Sequence, residues 1–195
     1  MRFFKKLFQK VINRFRGKQG EKKVKSLIKP SVFCRSKIKL INNLTIIDKN
    51  GMSHQIDHVL IRQNGIFCIE TKNLQGLILG KENQNNWRQC LHNVEHSFYN
   101  PLKQNQTHAI QIKKILNNKY YINSVVVFVQ NNAKNLNIFN VINFNDLKSY
   151  LKNFNNKQKI YTKQEVKNIY NTLLHSNKKV SNYTHIKNIR KNKRR

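Results

Sequence analysis

Acidic side chains are nearly missing from this 195-residue chain: eight Asp and Glu stand against 38 Lys and Arg, a formal net charge of +30. Cysteine is almost as scarce. Cys34, Cys68 and Cys90 are widely spaced, odd in number and form no CxxC pair, which argues against a disulfide framework or a thiolate zinc site and fits a reducing cytosol. Cys90, His92 and His96 have ligand-like spacing, but without a second half-site they are set aside as a metal centre. Six Gly and two Pro exclude a low-complexity linker. No run of 18 apolar residues is present, so no transmembrane helix is expected. The N-terminus lacks the continuous apolar block and small-residue cleavage site of a secretory leader. A cytoplasmic location is the expectation, with peripheral membrane contact as an addition.

What is abundant is positive charge, and it is uneven. Residues 1–30 hold 11 basic side chains and one acidic; residues 178–195 hold eight and none. Such a field draws polyanions and speeds their encounter, which points to nucleic acid as a partner. Residues 2–16 place Phe3, Phe4, Leu7, Val11, Ile12 and Phe15 on one helical stripe opposite Lys and Arg. That pattern suits packing on the domain, contact with nucleic acid, or an anionic membrane surface. Gly17 is expected to end or bend this helix. The expected organisation is a basic amphipathic helix over 1–17, a domain over 18–130, a strand and helical extension over 131–177, and a basic disordered tail over 178–195, in which Lys193, Arg194 and Arg195 are candidate phosphate contacts.

Within the domain, a helix from Lys18 stops at Pro30. Residues 36–48 alternate as a strand and turn at Lys49-Asn50-Gly51. Residues 55–63 and 66–72 are β-rich runs joined by Asn64-Gly65, a strong hairpin signal. Residues 74–99 read as irregular and polar. Asn100-Pro101 looks like a helix start, with Asn as cap and Pro in the first turn. Residues 123–130 are nearly all apolar, the mark of a buried central strand. A further strand near 138–143 and helices near 144–152 and 162–174 complete a mixed α/β domain with a central sheet flanked by helices.

The scarcity of carboxylates makes two of them conspicuous. Asp57 and Glu70 lie inside otherwise apolar strands, where a charge is costly unless a cation satisfies it. With Asn64-Gly65 as a two-residue turn, Gln63 pairs with Ile66, Val59 with Glu70 and Asp57 with Lys72. Asp57, Glu70 and Lys72 then project from one face, with Gln55 one step further out, and His58 points the other way as a packed histidine. Two carboxylates on adjacent strands suit a hard divalent cation such as Mg²⁺, or Mn²⁺, that keeps water and phosphate oxygens as its other ligands. A lysine beside them can stabilise charge on an attacked phosphate.

Asp57 followed by Glu70-Thr71-Lys72 resembles the PD-(D/E)xK nuclease signature. The surrounding words narrow the resemblance: Gly20-Glu21 opening a helix, Gln55-Ile56-Asp57-His58 before an apolar strand, Gly65 through Asn73, then Gly76, Gly80, Trp87, and Asn100-Pro101 with Gln104. Together these resemble the NERD, or nuclease-related, domain family over roughly residues 18–130. The resemblance implies a restriction-endonuclease-like core and Mg²⁺-dependent cleavage of nucleic acid, DNA ahead of RNA. It gives Asp57, Glu70 and the Thr71 carbonyl to the metal, Lys72 to catalysis, Glu21 to support of the metal or a water, and Gln104 to a helix reaching the site. Ile56 stands where the wider signature often has Pro.

Each assignment has a plainer counterpart. Asp57, Glu70 and Lys72 could form a structural cross-strand ion pair, Glu21 could serve a helix dipole, and Gln104, His108 and Gln111 could be a solvated helix face. The competing functional class is a non-catalytic module of degenerate nuclease fold that holds nucleic acid or a membrane surface by charge.

Overall fold

The computed structural model describes residues 2–31, 36–92 and 94–177, with side chains from Arg14 onward, Asn156 and Lys157 excepted. The expected stripe over residues 3–12 and the basic tail with Lys193, Arg194 and Arg195 therefore lie outside the described residues or side chains.

The chain opens with one helix, α1 (Arg2–Ile28), not two. Gly17 sits inside it, because a mid-helix glycine costs only about 1 kcal/mol and tertiary packing outweighs that. Gly20, Val24 and Ile28 recur at helical spacing and are buried, so this row faces the sheet. Three strands follow as an antiparallel meander: β1 (Ile38–Ile47), β2 (Ser53–Arg62) and β3 (Gly65–Lys72). Asp48 ties the first turn by accepting the Asn50 and Met52 N–H groups on Oδ1, both at 2.9 Å, and Gly51 supplies the left-handed φ of 75°.

Residues 74–99 overturn the irregular reading. They form a separate three-stranded antiparallel sheet, β4 (Leu77–Leu79), β5 (Asn86–Leu91) and β6 (Val94–Tyr99). Its strands are short and largely exposed, so their hydrophobic alternation is faint. Trp87 anchors it, fully buried and stacked on Phe128 at 6.4 Å. Gly80 is required there, since a Cβ would strike the Trp87 indole.

Helix α2 (Pro101–Ile115) starts as expected, with Asn100 Oδ1 accepting the Leu102 N–H at 2.9 Å. It crosses to β7 (Ile122–Phe128), which lies parallel beside β3. The short β8 (Val141–Asn143) adds a parallel edge, and α3 (Phe144–Asn153) and α4 (Lys163–His175) follow as the last helices of the described residues. The central sheet has the order β1-β2-β3-β7-β8, so residues beyond 130 supply its fifth strand and two helices of the same core.

Two apolar layers enclose this sheet. On one face Val59, Ile61, Ile66 and Cys68 pack on Ala109 and Ile112 of α2 and Val166, Ile169 and Leu173 of α4. On the other, Leu60, Phe67 and Ile69 pack on Val24 and Ile28 of α1 and Leu147 and Leu151 of α3. Each fully buried side chain of this kind contributes about 1.5–3 kcal/mol. The result is the mixed α/β architecture of a restriction-endonuclease-like core.

Candidate active site

The β2–β3 hairpin turns at Gln63-Asn64, with Arg62 opposite Gly65 and His58 opposite Ile69. The sequence reading placed the turn one residue later, shifting the register by two. Tertiary bonds decide this: buried Asn64 Nδ2 reaches the Leu151 and Phe154 carbonyls at 3.2 and 3.1 Å. A slip of two keeps every side chain on its face, whereas a slip of one would have inverted the site. Continuing the observed register sets Asp57 directly opposite Glu70 rather than diagonal to it.

The β2–β3 ladder ends just before Asp57, and the Asp57 carboxylate takes over: Oδ2 accepts the Thr71 N–H at 2.8 Å. Glu70, 4% exposed, is held by two donors on Oε1, Lys72 Nζ at 2.7 Å and Gln104 Nε2 at 2.9 Å. Lys72 Nζ also reaches Gln104 Oε1 at 3.1 Å. Glu70, Lys72 and Gln104 thus close a triangle between β3 and α2.

Glu21 arrives from α1, drawn in by a close approach of helix to strand. A Cβ on Gly20 would lie 2.7 Å from Asn73 Cβ, so only glycine lets the helix settle there. Asn73 fixes this contact by donating to the Arg16 carbonyl at 2.7 Å and accepting from Gln130 Nε2 at 2.6 Å. Glu21 is close enough for Glu70 to raise its carboxyl above the ordinary value, after burial as the main cause. Burial raises Asp57 well above the ordinary carboxylate range, the Glu70 and Glu21 charges add to this, and the Thr71 N–H and Lys72 oppose it.

Three of the eight carboxylates in a strongly cationic chain therefore influence one another here, with Lys72 paired to only one of them. That donor set fits a hard divalent cation, which would relieve the repulsion. Among the described residues no three His, Cys, Asp or Glu side chains are grouped to hold a metal by themselves. A cation would rest on Asp57 and Glu70, with main-chain oxygen and water completing its shell, and Glu21 would act at longer range.

The remaining candidates lie elsewhere. Gln55 is exposed on β2 opposite Thr45. His58 is buried on the α1 side, with Nδ1 2.8 Å from Asn42 Oδ1, and burial followed by the Lys25 charge pushes it down to about 4. His108 and Gln111 are not a solvated face: both are buried on α2, and the His108 ring meets His54 at 5.8 Å. The Cys90 thiol donates to Glu95 Oε1 at 3.4 Å.

Two supporting residues were missed from sequence, Asn73 and Asn105. Asn105 is fully buried, and its Nδ2 donates to the Cys68 and Val125 carbonyls at 2.9 and 3.0 Å and to Ser124 Oγ at 2.9 Å, locking α2 over the β3–β7 seam. An asparagine on the apolar stripe of a helix is the signal that could have identified it.

Comparison with known proteins shows the family. The model of the nuclease-related domain family matches residues 16–129. An uncharacterised protein of Bacillus anthracis is 31% identical over 174 residues, covering 87% of this chain and 80% of that protein. No solved structure gives a significant match.

Proposed function

Because this chain belongs to the nuclease-related domain family, we propose that it is a metal-dependent nuclease of PD-(D/E)xK type, cleaving phosphodiester bonds in nucleic acid, with DNA as the preferred substrate. The observation that carries this reading is the opposition of two carboxylates, Asp57 and Glu70, with Lys72 bound to Glu70 at 2.7 Å. Mg²⁺ or Mn²⁺ held by Asp57 and Glu70, with the Thr71 carbonyl, would neutralise phosphate charge and make bound water more acidic.

The chain's own residues then have distinct parts. Lys72 has three donors and no acceptor; among the described residues Glu70 and Gln104 engage two of them. The third can stabilise charge developing on a phosphate or orient a water. Gln104 aims both the lysine and Glu70. Glu21 keeps the pocket anionic, so that a cation outcompetes the surrounding lysines for it. The surplus positive charge of the chain brings the polyanion in.

A second reading, a non-cutting module that holds nucleic acid or an anionic membrane, draws on two facts. Lys72 already neutralises Glu70 without a metal, and Phe15, between Arg14 and Arg16 on α1, is 63% exposed. No helix among the described residues is long and apolar enough to cross a membrane. Incubation with plasmid, single-stranded DNA and RNA, with Mg²⁺ or Mn²⁺ and with EDTA, decides between the readings. Divalent-dependent cleavage lost in Asp57→Ala supports the nuclease; binding without cleavage, indifferent to Asp57→Ala, overturns it.

A further inference from the structure

On the flank of α2 away from Gln104 runs a groove that the proposed chemistry leaves unused. It exists because β8 is short. β8 pairs with Val126–Phe128, so among the described residues no strand flanks the first half of β7 on that side, and α2, α3 and the segment before β8 wall the gap. One cavity here, of about 710 Å³, is lined by Gln106, Asn123, Asn140 and Asn153 and by the rings of Tyr121 and Phe139. A second, of about 400 Å³, shares Gln106, Ser124 and Asn140 with the first and continues to Tyr99 and Lys103.

Three features of this groove agree. Its outward rings are unusually uncovered: Tyr121 is 73% exposed, Phe139 76% and Tyr99 53%. Burying such rings would stabilise the fold, so leaving three beside one groove leaves apolar surface for a ligand. Its polar lining is amide and hydroxyl, which can donate to or accept from the edges of a neutral heterocycle. Charge is confined to one end, where Lys103 and Glu82 are the charged lining residues, and Lys103 Nζ is tied to the Asn83 carbonyl and Asn85 Oδ1 at 2.9 and 2.6 Å. The middle of a +30 chain thus contains an aromatic, amide-rich channel whose larger cavity has no charged lining residue.

We propose that this groove binds an unpaired stretch of nucleic acid, with Tyr121 and Phe139 as stacking platforms for successive bases and Tyr99 as a third. Rings stack on the face of any base once it is out of a duplex, and the net positive charge of the chain draws the polyanion toward it. The proposal rests on nucleic acid being the ligand of this protein and assigns single-stranded segments to it; it does not require that the carboxylate site cut.

The test is fluorescence anisotropy of the full chain with a labelled oligothymidine and with a duplex of equal length, in EDTA so that cleavage plays no part. Tyr121→Ala and Phe139→Ala should each weaken single-strand binding by about fivefold or more, leave duplex binding within about twofold, and leave the melting temperature unchanged. Tyr121→Phe should restore the affinity. Equal weakening for both ligands, no weakening, or a wild type that does not bind the single strand would each overturn the proposal. An inactive carboxylate site leaves this measurement untouched, and a failed groove leaves the cleavage assay untouched, so the two readings fail separately.

Discussion

Replacing Lys72 by methionine separates its catalytic part from its structural one. Methionine keeps the apolar stem and removes the charge, leaving Glu70 without its ion-pair partner. The carboxylate side chain is 6% exposed and the lysine 19%, so the pair counts as buried, and removing one member of such a pair costs about 3–5 kcal/mol. Two features place the cost at the low end. Lys72 is one-fifth solvated, and Gln104 Nε2 still donates to Glu70 Oε1 at 2.9 Å. A loss of about 3 kcal/mol in EDTA corresponds, for a chain of this length, to a melting temperature lower by about 6–12 °C. In millimolar Mg²⁺ the gap should narrow, because the metal replaces the missing positive charge between Asp57 and Glu70. Cleavage should nevertheless stay reduced by about 10²–10³. Calorimetry with and without Mg²⁺, beside a plasmid-nicking assay, reads all three quantities. A variant that melts lower but cuts as well as the wild type would make Lys72 structural. One that melts and cuts like the wild type would refute the electrostatic account of the triangle.

Asp57→Asn should behave in the opposite sense. With the native carboxyl raised by burial and by Glu70, metal-free stability falls as pH climbs from the ordinary carboxylate range through that raised value. The amide, which can still accept the Thr71 N–H, should therefore melt no lower than the wild type in EDTA at neutral pH and gain nothing from Mg²⁺; a full metal-induced gain in the variant would remove Asp57 from the metal. His58 is held at about 4 against a free value of 6.5. Its contribution is complete above pH 6.5 and is lost as pH falls from there toward 4, about 3 kcal/mol across the gap; urea midpoints of His58→Leu should lose that slope, and an unchanged slope would assign it elsewhere. Gly80→Ala should lower the melting temperature through collision with Trp87, and an unchanged value would deny the contact. Nucleic-acid affinity should fall steeply with salt, and removal of residues 178–195, with their eight basic side chains, should flatten that dependence; salt-independent binding would contradict an electrostatic arm.

The sequence by itself determined the parts whose physics is local. Alternation and apolar runs marked β1, β2, β3 and β7. Asn100-Pro101 marked the start of α2, because a cap and a proline act within one turn. The spacing from Asp57 to Glu70 and Lys72 put all three on one face whichever of two registers the hairpin took, since side-chain direction repeats every two residues. Tertiary structure decided the rest. The register itself followed from Asn64 binding the carbonyls of Leu151 and Phe154, residues far along the chain. Gly17 reads locally as a break, yet α1 runs through it, because the glycine's local cost is small beside the burial of Val24 and Ile28 against the sheet. The second sheet was invisible because its strands are short and exposed, and a buried Trp87 with the glycine beneath it, not periodicity, holds them. Glu21 and Gln104 lie far from Glu70 in sequence, and whether a helix acid or amide reaches a strand carboxylate depends on how closely the helix can pack. That distance is set by Gly20 against Asn73 on one side of the sheet and by Asn105 over the β3–β7 seam on the other.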